Sequence, residues 1–437
     1  MRANSSGKMG LTAKILLAMA AGLGIGLALR LMFPGSQVVE DIFTNGIFNV
    51  LGALFVSALR MLVVPLVFVS LVCGTATLSD PSRLGRLGGK TLALYLFTTA
   101  VAISLALGAA LLFQPGDATM QTANMAFDAK QAPSLTDVII GLVPKNPINA
   151  MVEGNMLQII VFAILFGFSI AHIGERGERL RQFFIDLNEV MMKLVTLVMA
   201  IAPIGVFGLI AKLTLTLGMD TFGSVVKYFF LVLGVLIVHA LVVYPLLVST
   251  LSGLNPMTFL KKMRSVQLFA FSTASSAATL PISIENANYR LGVSNRVSSF
   301  TLPLGATVNM DGTAIMQGVA TVFIAQVFGI DLSVSDMLMV ILTATLASIG
   351  TAGVPGVGLI MLAMVLQQVN LPVEGIALIL GVDRLLDMVR TAVNVTGDAA
   401  VSVVVASSEG ELSRDTYTDP NAGQDKLDMD AIPHVRQ

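Results

Sequence analysis

The polar side chains of the apolar stretch GVDRLLDMVRTAVNVTGDAA are spaced so that they share one face of a helix. Successive positions lie four, three, one, three and four residues apart, which keeps them on one side of an α-helix. Ionisable groups within a membrane-spanning segment are costly and usually functional. We therefore expect a binding site here rather than only a buried ion pair, with Arg384 off the face and structural. The face consists of Asp383, Asp387, Arg390, Thr391, Asn394 and Asp398.

A second polar interruption, NMDGT from Asn309 to Thr313, lies within another apolar run. Asn309 and Gly312 weaken the helix there, so that backbone carbonyls can turn toward a cation while Asp311 supplies charge. If Asp311 joins the first set, four carboxylates face one arginine, an excess of about three negative charges that requires cations or protons. Oxygen ligands without histidine or thiolate favour an alkali or alkaline-earth ion, and sodium is the natural candidate for a carrier.

Arg390 is the one fixed cation on this face, and its planar fork suits bidentate capture of a carboxylate. Asp387, one turn away, can accept an ammonium group. The residue pair Ser275–Ser276 and the segment GTAGVPG place hydroxyl and backbone N–H groups where half-helix ends would attract an anion, although small residues also serve close helix packing. Together these groups predict an acidic amino acid as the ligand.

Composition excludes several classes of protein. Of 437 residues, 55% are hydrophobic and 12% charged, and the mean hydropathy of +0.83 is typical of a polytopic membrane protein. Basic residues occupy short loops rather than a patch, so nucleic acid is not an expected partner. A single cysteine, Cys73, precludes a disulfide within the chain. Neither a nucleophile and base pair nor a nucleotide loop is visible, so we expect no enzyme and no organic cofactor.

Eight apolar segments have spanning length, and we interpret the first as a membrane helix rather than a signal peptide. The predicted spans are residues 11–33, 47–78, 91–113, 154–174, 188–214, 226–251, 298–328 and 375–407.

Two further apolar segments, 256–290 and 335–370, are interrupted by STASSAATLP and SIGTAGVPGVG. Basic residues flank the first and acidic residues the second, which predicts re-entrant hairpins from the cytoplasmic and outer sides respectively. Each hairpin precedes a span, an inverted repeat typical of secondary transporters. Both termini are predicted to be cytoplasmic. The polar tail from residue 408 is expected to be disordered.

The ordered motifs SSAATLP, NMDGT, SIGTAGVPG and DMVRTAVNVTGD resemble those of the dicarboxylate/amino acid:cation symporters, which include sodium-coupled glutamate and aspartate transporters. The resemblance covers nearly the whole chain. It implies an all-α homotrimer of elevator type, with eight spans and two opposed hairpins, the outer hairpin acting as the gate. The implied scaffold comprises residues 1–78 and 114–214, and the implied transport domain comprises 79–113 and 226–407, followed by the tail at 408–437.

The resemblance also implies ligand roles for individual residues. Substrate contacts fall on Ser275, Ser276, Thr313, Val354, Gly358, Asp387, Arg390, Thr391 and Asn394. One sodium ion would be held by Gly305, Asn309, Asn394 and Asp398, and a second by Asp311, Asn309, Thr98 and Thr99, with Tyr95 nearby. Carbonyls of a third site fall around Thr307, Met310, Ser348, Ile349 and Thr351.

These residues predict sodium-coupled symport of L-aspartate, L-glutamate or both across a bacterial inner membrane. The alternatives are a proton-coupled glutamate/aspartate carrier, a C4-dicarboxylate carrier and an ion channel. A dicarboxylate has no amine for Asp387, and proton-coupled relatives tend to lack the carboxylate at Asp398. The positions where many relatives carry a second arginine beside the site hold Ala274 and Met388 here.

Overall fold

The computed structural model describes residues 11–78, 86–116, 143–217, 220–349 and 356–423, and these ranges are almost entirely helical. The predicted all-helical class is confirmed. A short turn, Gln37–Val39, and a π-helix, Glu40–Phe48, lead into the second helix. The α-helices are α1 (Leu11–Met32), α2 (Asn49–Leu78), α3 (Arg86–Phe113), α4 (Pro147–Glu153), α5 (Met156–His172), α6 (Glu175–Ala200), α7 (Ala202–Leu217), α8 (Asp220–Val238), α9 (Tyr244–Ser252), α10 (Pro256–Thr273), α11 (Ser276–Tyr289), α12 (Asn295–Val308), α13 (Asp311–Val327), α14 (Val334–Ser348), α15 (Val357–Gln368), α16 (Ile376–Glu409) and α17 (Arg414–Thr418).

Several helices are long and apolar enough to cross a bilayer, which makes the chain a multi-pass membrane protein. Within the described ranges, four continuous helical runs meet this criterion: Gln37–Ala76, Arg86–Phe113, Gly223–Ser252 and Leu378–Glu409. The helices α6 and α7 count as a fifth span if the bent pair crosses together, and α1 and α5 contain shorter apolar runs. The predicted number of eight spans stays a prediction.

The predicted span 188–214 falls on two helices, α6 and α7, and whether they cross the membrane as one span stays a prediction. The chain bends by 47° between α6 and α7, at Ile201. Pro203, in the first turn of α7, has no N–H to donate and its ring clashes with the carbonyl four residues earlier. The proline therefore accounts for the break.

The other interruptions predicted from the sequence are breaks between helices. The chain between α12 and α13 is unwound over Asn309 and Met310. The pair α10 and α11 is separated by Ala274, at φ 49°, and Ser275, whose side chain accepts a hydrogen bond from the Ala278 N–H. Helices α14 and α15 flank residues 350–355, which lie outside the described ranges. Helices α10 and α11 pack together, as do α14 and α15, while the re-entrant course of these two pairs stays a prediction.

The helices pack in two groups. In the first group, α2 contacts α5, α6 and α7, and α1 packs against α7. In the second, α16 lies at the centre and contacts α3, α8, α9, α10, α11, α12, α13 and α15. This arrangement buries α16 on nearly every side, so its polar face meets protein rather than lipid.

The expectation of a disordered tail from residue 408 is wrong for residues 408–423; residues 424–437 lie outside the described ranges. The segment forms α17 and a β-bridge between Val293 and Leu412. Tyr417 is buried, and its hydroxyl donates to the Asn255 carbonyl at 2.9 Å. Burial raises the pKa of the Tyr417 phenol, so it remains a donor at neutral pH. The composition of residues 408–423 did not predict this ordered structure, because the residues that stabilise it lie outside the segment.

Truncating the buried ring should therefore weaken the fold. We expect Tyr417→Ala to destabilise the protein by about 3–5 kcal/mol, the usual cost of removing a buried aromatic side chain. Tyr417→Phe, which loses only the hydrogen bond to Asn255, should cost about 1 kcal/mol. Thermal unfolding of the purified protein in detergent would measure both. A Tyr417→Ala protein that melts like wild type would show that the segment contributes nothing to stability.

Candidate functional site

Helices α3, α13 and α16 meet at the unwound segment. Thr99 Oγ1 donates to Asp311 Oδ1 at 2.6 Å, and Thr98 Oγ1 donates to Asn309 Oδ1 at 3.3 Å. Asn309 Nδ2 in turn donates to Asp398 Oδ1 at 2.9 Å. All five side chains are buried, and we refer to them as the Asp311 cluster. The structure thus brings together residues that are far apart in sequence and that were predicted to hold two cations.

Gly305 and Tyr95 border this cluster. A Cβ at Gly305 would lie 2.5 Å from Asp398 Oδ1 and 2.6 Å from the Tyr95 hydroxyl, closer than real side chains approach. The Tyr95 hydroxyl donates to the Thr301 carbonyl at 2.9 Å. A glycine is therefore required at position 305 for α12 to come this close to the Asp398 carboxylate.

Two residues that contact this cluster were not predicted from the sequence. The Tyr244 hydroxyl donates to Asp311 Oδ2 at 2.8 Å, and His239 Nε2 lies 3.3 Å from the same oxygen. Both side chains are fully buried. A histidine and a tyrosine five positions apart in an otherwise apolar span were the available signal, but on a regular helix they would not share a face.

Arg390 lies between two carboxylates of its own helix. Its Nη1 donates to Asp383 Oδ1 and its Nη2 to Asp387 Oδ1, both at 2.8 Å. The guanidinium is buried. Arg384, expected off this face, instead donates from Nη1 to Asp387 Oδ2 at 3.2 Å, because side chains three positions apart meet on a helix. We refer to these four residues as the Arg390 cluster.

The first turn of α13 connects the two clusters. The Gly312 N–H donates to Asn394 Oδ1 at 2.7 Å, and a Cβ at Gly312 would lie 2.6 Å from the Arg390 carbonyl oxygen. A Cβ at Gly358 would lie 3.3 Å from Thr313 Cγ2 and 3.5 Å from Arg390 Nη2. Gly358 therefore lies close to both Thr313 and the guanidinium, and Gly358 and Thr313 are both predicted substrate contacts.

For the remaining predicted ligands, the structure gives burial and a few local hydrogen bonds. Ser276, Ser348, Ile349 and Met310 are buried, and the Met310 sulfur accepts from Asn394 Nδ2 at 3.3 Å. Their ligand roles stay predictions, as do those of Ser275 and Thr391. The Thr391 hydroxyl donates to the Asp387 carbonyl at 2.8 Å, whereas Thr307 is exposed. Thr351 and Val354 lie outside the described residues.

The two clusters differ in how their carboxylates are neutralised. Asp383 and Asp387 bind the guanidinium groups of Arg390 and Arg384. In the described ranges, the hydrogen bonds to Asp311 and Asp398 come from hydroxyl, amide and imidazole groups.

The charge excess is therefore about two rather than three, because Arg384 joins the site. A buried carboxylate without a cationic partner costs several kcal/mol, so the Asp311 cluster can lower its free energy by binding cations or protons.

Residues 11–408 match the family model described as the sodium:dicarboxylate symporter family. The chain is 34% identical over 422 residues to the "Proton/sodium-glutamate symport protein" of Geobacillus stearothermophilus, covering 93% of this chain and 96% of the relative. It is 36% identical over 419 residues to the "Proton/glutamate-aspartate symporter" of Escherichia coli strain K12, covering 93% and 94%. It is also 35% identical over 459 residues to the human "Neutral amino acid transporter B(0)", covering 96% and 84%. The chain belongs to the sodium:dicarboxylate symporter family, a family of transporters and not of enzymes.

Proposed function

We propose that the protein is a sodium-coupled symporter that carries L-aspartate, L-glutamate or both across the inner membrane of a bacterium. One observation carries this proposal: a buried arginine lies between carboxylates, and two further buried carboxylates beside it have no guanidinium or ammonium bonded to them in the described ranges. The first arrangement suits a zwitterion with an extra carboxylate, and the second suits alkali cations.

The Arg390 cluster provides complementary charges for the substrate. The side-chain carboxylate of the substrate binds the guanidinium of Arg390, which in this structure donates to Asp383 and Asp387. The ammonium group of the substrate binds the carboxylate of Asp387. Arg384 remains on Asp387 Oδ2, which leaves Oδ1 for the amine. The α-carboxylate lies between the helix ends at Ser275 and Ser276 and the segment between α14 and α15.

Two cations bind at the Asp311 cluster, and a third binds at the remaining position inferred from the resemblance. The Gly312–Asn394 hydrogen bond ties the first turn of α13, directly after the unwound segment, to the helix that carries Arg390. Ordering of that segment by a cation therefore orders the substrate side as well, so that each ligand raises the affinity for the other. Such coupling is what makes symport obligatory.

We further propose that transport is of elevator type in a homotrimer, with both termini cytoplasmic. The packing of α3 and α8–α16 as one group supports a moving unit, and the group formed by α1, α2, α5, α6 and α7 supports a scaffold. The pair α14–α15 would act as the outer gate. Where Gly381 of α16 faces Met19 of α1 and Ile210 of α7, the contact between the groups is apolar, so sliding there would break no polar contact within either group.

A proton-coupled carrier is the second candidate, because the two bacterial relatives carry the word proton in their names. A C4-dicarboxylate carrier would have no use for Asp387, and a neutral amino acid carrier would have none for Arg390. The retention of Asp398, with Asn309 bonded to it, favours sodium over the proton-coupled alternative.

Purified protein in liposomes tests the proposal directly. Labelled aspartate should accumulate only with an inward sodium gradient, and unlabelled glutamate should compete while succinate and serine should not. Collapse of the proton gradient with an uncoupler should leave the initial rate unchanged. Uptake driven equally well by a proton gradient in sodium-free buffer would refute sodium coupling, and efficient competition by succinate would refute the amino acid assignment.

A further inference from the structure

We propose that His239 and Tyr244 are positioning residues of the Asp311 cluster: they hold Asp311 Oδ2, turn Oδ1 toward the cation, and so set the affinity for sodium. Asp311 Oδ2 receives the Tyr244 hydroxyl at 2.8 Å and faces His239 Nε2 at 3.3 Å. This inference rests on the proposed function in taking sodium as the cation. It adds two residues that act through Asp311 rather than on the ion.

A π-helical turn places the two side chains together. The Tyr244 N–H donates to the His239 carbonyl, which closes a turn over His239–Val243 between α8 and α9. On a regular α-helix, residues five positions apart are rotated by about 140° around the axis. A turn closed by an i→i+5 hydrogen bond brings them back to nearly the same side. The π turn thus directs both residues at one carboxylate.

The local sequence accounts for the wider turn. Pro245 follows Tyr244 and has no N–H for the carbonyl of Leu241, and its ring would clash with that carbonyl in a regular helix. One extra residue per turn relieves this conflict without ending the span. Such single π turns inside helices are frequent at functional sites.

The packing around the two rings leaves them little freedom. Their centroids lie 4.6 Å apart at 79°, an edge-to-face contact, and both side chains are fully buried. On the opposite side, Gly397 of α16 allows the close approach, because a Cβ there would overlap the Tyr244 hydroxyl and lie 2.7 Å from Asn309 Nδ2. The Tyr244 hydroxyl is therefore held on Asp311.

The hydrogen bonds divide the carboxylate into two functional halves. Each carboxylate oxygen has about two lone-pair sites. Those of Oδ2 are directed at Tyr244 and His239, whereas within the described ranges Oδ1 receives the Thr99 hydroxyl. The oxygen that remains for a cation is consequently Oδ1, on the side of Thr99.

Sodium binding in the absence of substrate tests this proposal, because it does not depend on transport. The full-length protein in detergent is titrated with sodium chloride against choline chloride, and the rise in melting temperature reports binding. We expect Tyr244→Phe and His239→Leu to raise the half-maximal sodium concentration roughly tenfold, since each loses a hydrogen bond to a charged group. His239→Gln retains a donor and should stay within about twofold of wild type.

Tyr417→Phe is the matched control: it also removes one buried, hydrogen-bonded tyrosine hydroxyl, but its partner is the Asn255 carbonyl near the C-terminal segment. Its sodium titration should match wild type. At saturating sodium, the affinity for aspartate should be unchanged in Tyr244→Phe, which separates positioning of the cation site from general loss of structure.

The outcomes distinguish this inference from the proposed function. Sodium titrations of Tyr244→Phe and His239→Leu that coincide with wild type would overturn the inference, even if wild type transports aspartate with sodium. A shift of the same size in Tyr417→Phe would overturn it too, as would the absence of any sodium stabilisation in wild type. If the shifts are observed but liposomes take up no aspartate, the inference stands and the proposed substrate is wrong.

Discussion

Replacing Arg390 with alanine should abolish uptake of aspartate and glutamate, reducing the initial rate by at least about 100-fold, because a buried bidentate ion pair with the side-chain carboxylate is lost. Arg390→Lys should fail as well, since a single ammonium cannot bridge as the guanidinium does between Asp383 and Asp387. Initial rates in liposomes under a fixed sodium gradient measure both effects.

Loss of the guanidinium also leaves buried carboxylates without their partner, which can destabilise the protein. The double variant Asp383→Asn/Arg390→Ala reduces that repulsion and serves as the control for folding. It should remain inactive toward aspartate, while a labelled neutral amino acid such as serine should now be taken up. Aspartate uptake at the wild-type rate in either variant would show that Arg390 does not bind the substrate.

The second large effect concerns Asp398. We expect Asp398→Asn to raise the sodium concentration for half-maximal uptake at least about 100-fold, because a buried ion loses a charged ligand. The amide oxygen at position 398 can still accept from Asn309 Nδ2, which now donates to Asp398 Oδ1 at 2.9 Å, so the change removes the charge and leaves this hydrogen bond in place. The dependence of the initial rate on external sodium measures this change.

Asp331→Asn provides the matched control, since this aspartate is exposed near the end of α13 and outside both clusters. It should leave the sodium dependence unaltered. If Asp398→Asn transports with the wild-type sodium dependence, the Asp398 carboxylate is not a cation ligand and sodium coupling must depend on other groups.

The carboxylates and the arginine of the site could be predicted from sequence because charged residues are conspicuous in an apolar span. Thr98 and Thr99 were found only through the family resemblance, since hydroxyls are ordinary in membrane helices and usually bond their own backbone. Tyr244 and His239 could not be predicted, because their shared face depends on a π turn that hydrophobic periodicity does not report. Arg384 lies off the polar face by its position on the helix, yet its side chain reaches Asp387 three positions on.

The apolar segments and their interruptions were likewise predictable, because an apolar run and a polar break are local properties of the chain. The bend at Ile201 was missed even though Pro203 was visible, since prolines occur in membrane helices that continue past them. The order of residues 408–423 depends on Asn255, Lys262 and Val293, which lie far away in sequence. The composition of a segment carries no information about partners that are distant in sequence.

The hydrogen bonds between α3 and the unwound segment have a consequence for biosynthesis. Thr98 and Asn309 are separated by 211 positions, and Thr99 and Asp311 by 212. At a synthesis rate of roughly 5–20 residues per second, α3 must wait about 10 to 40 s in the membrane before its partners emerge from the ribosome. During that interval Thr98 can use the Tyr95 carbonyl, to which its hydroxyl also donates at 3.1 Å. The cation site is thus completed only when the last third of the polypeptide has been inserted.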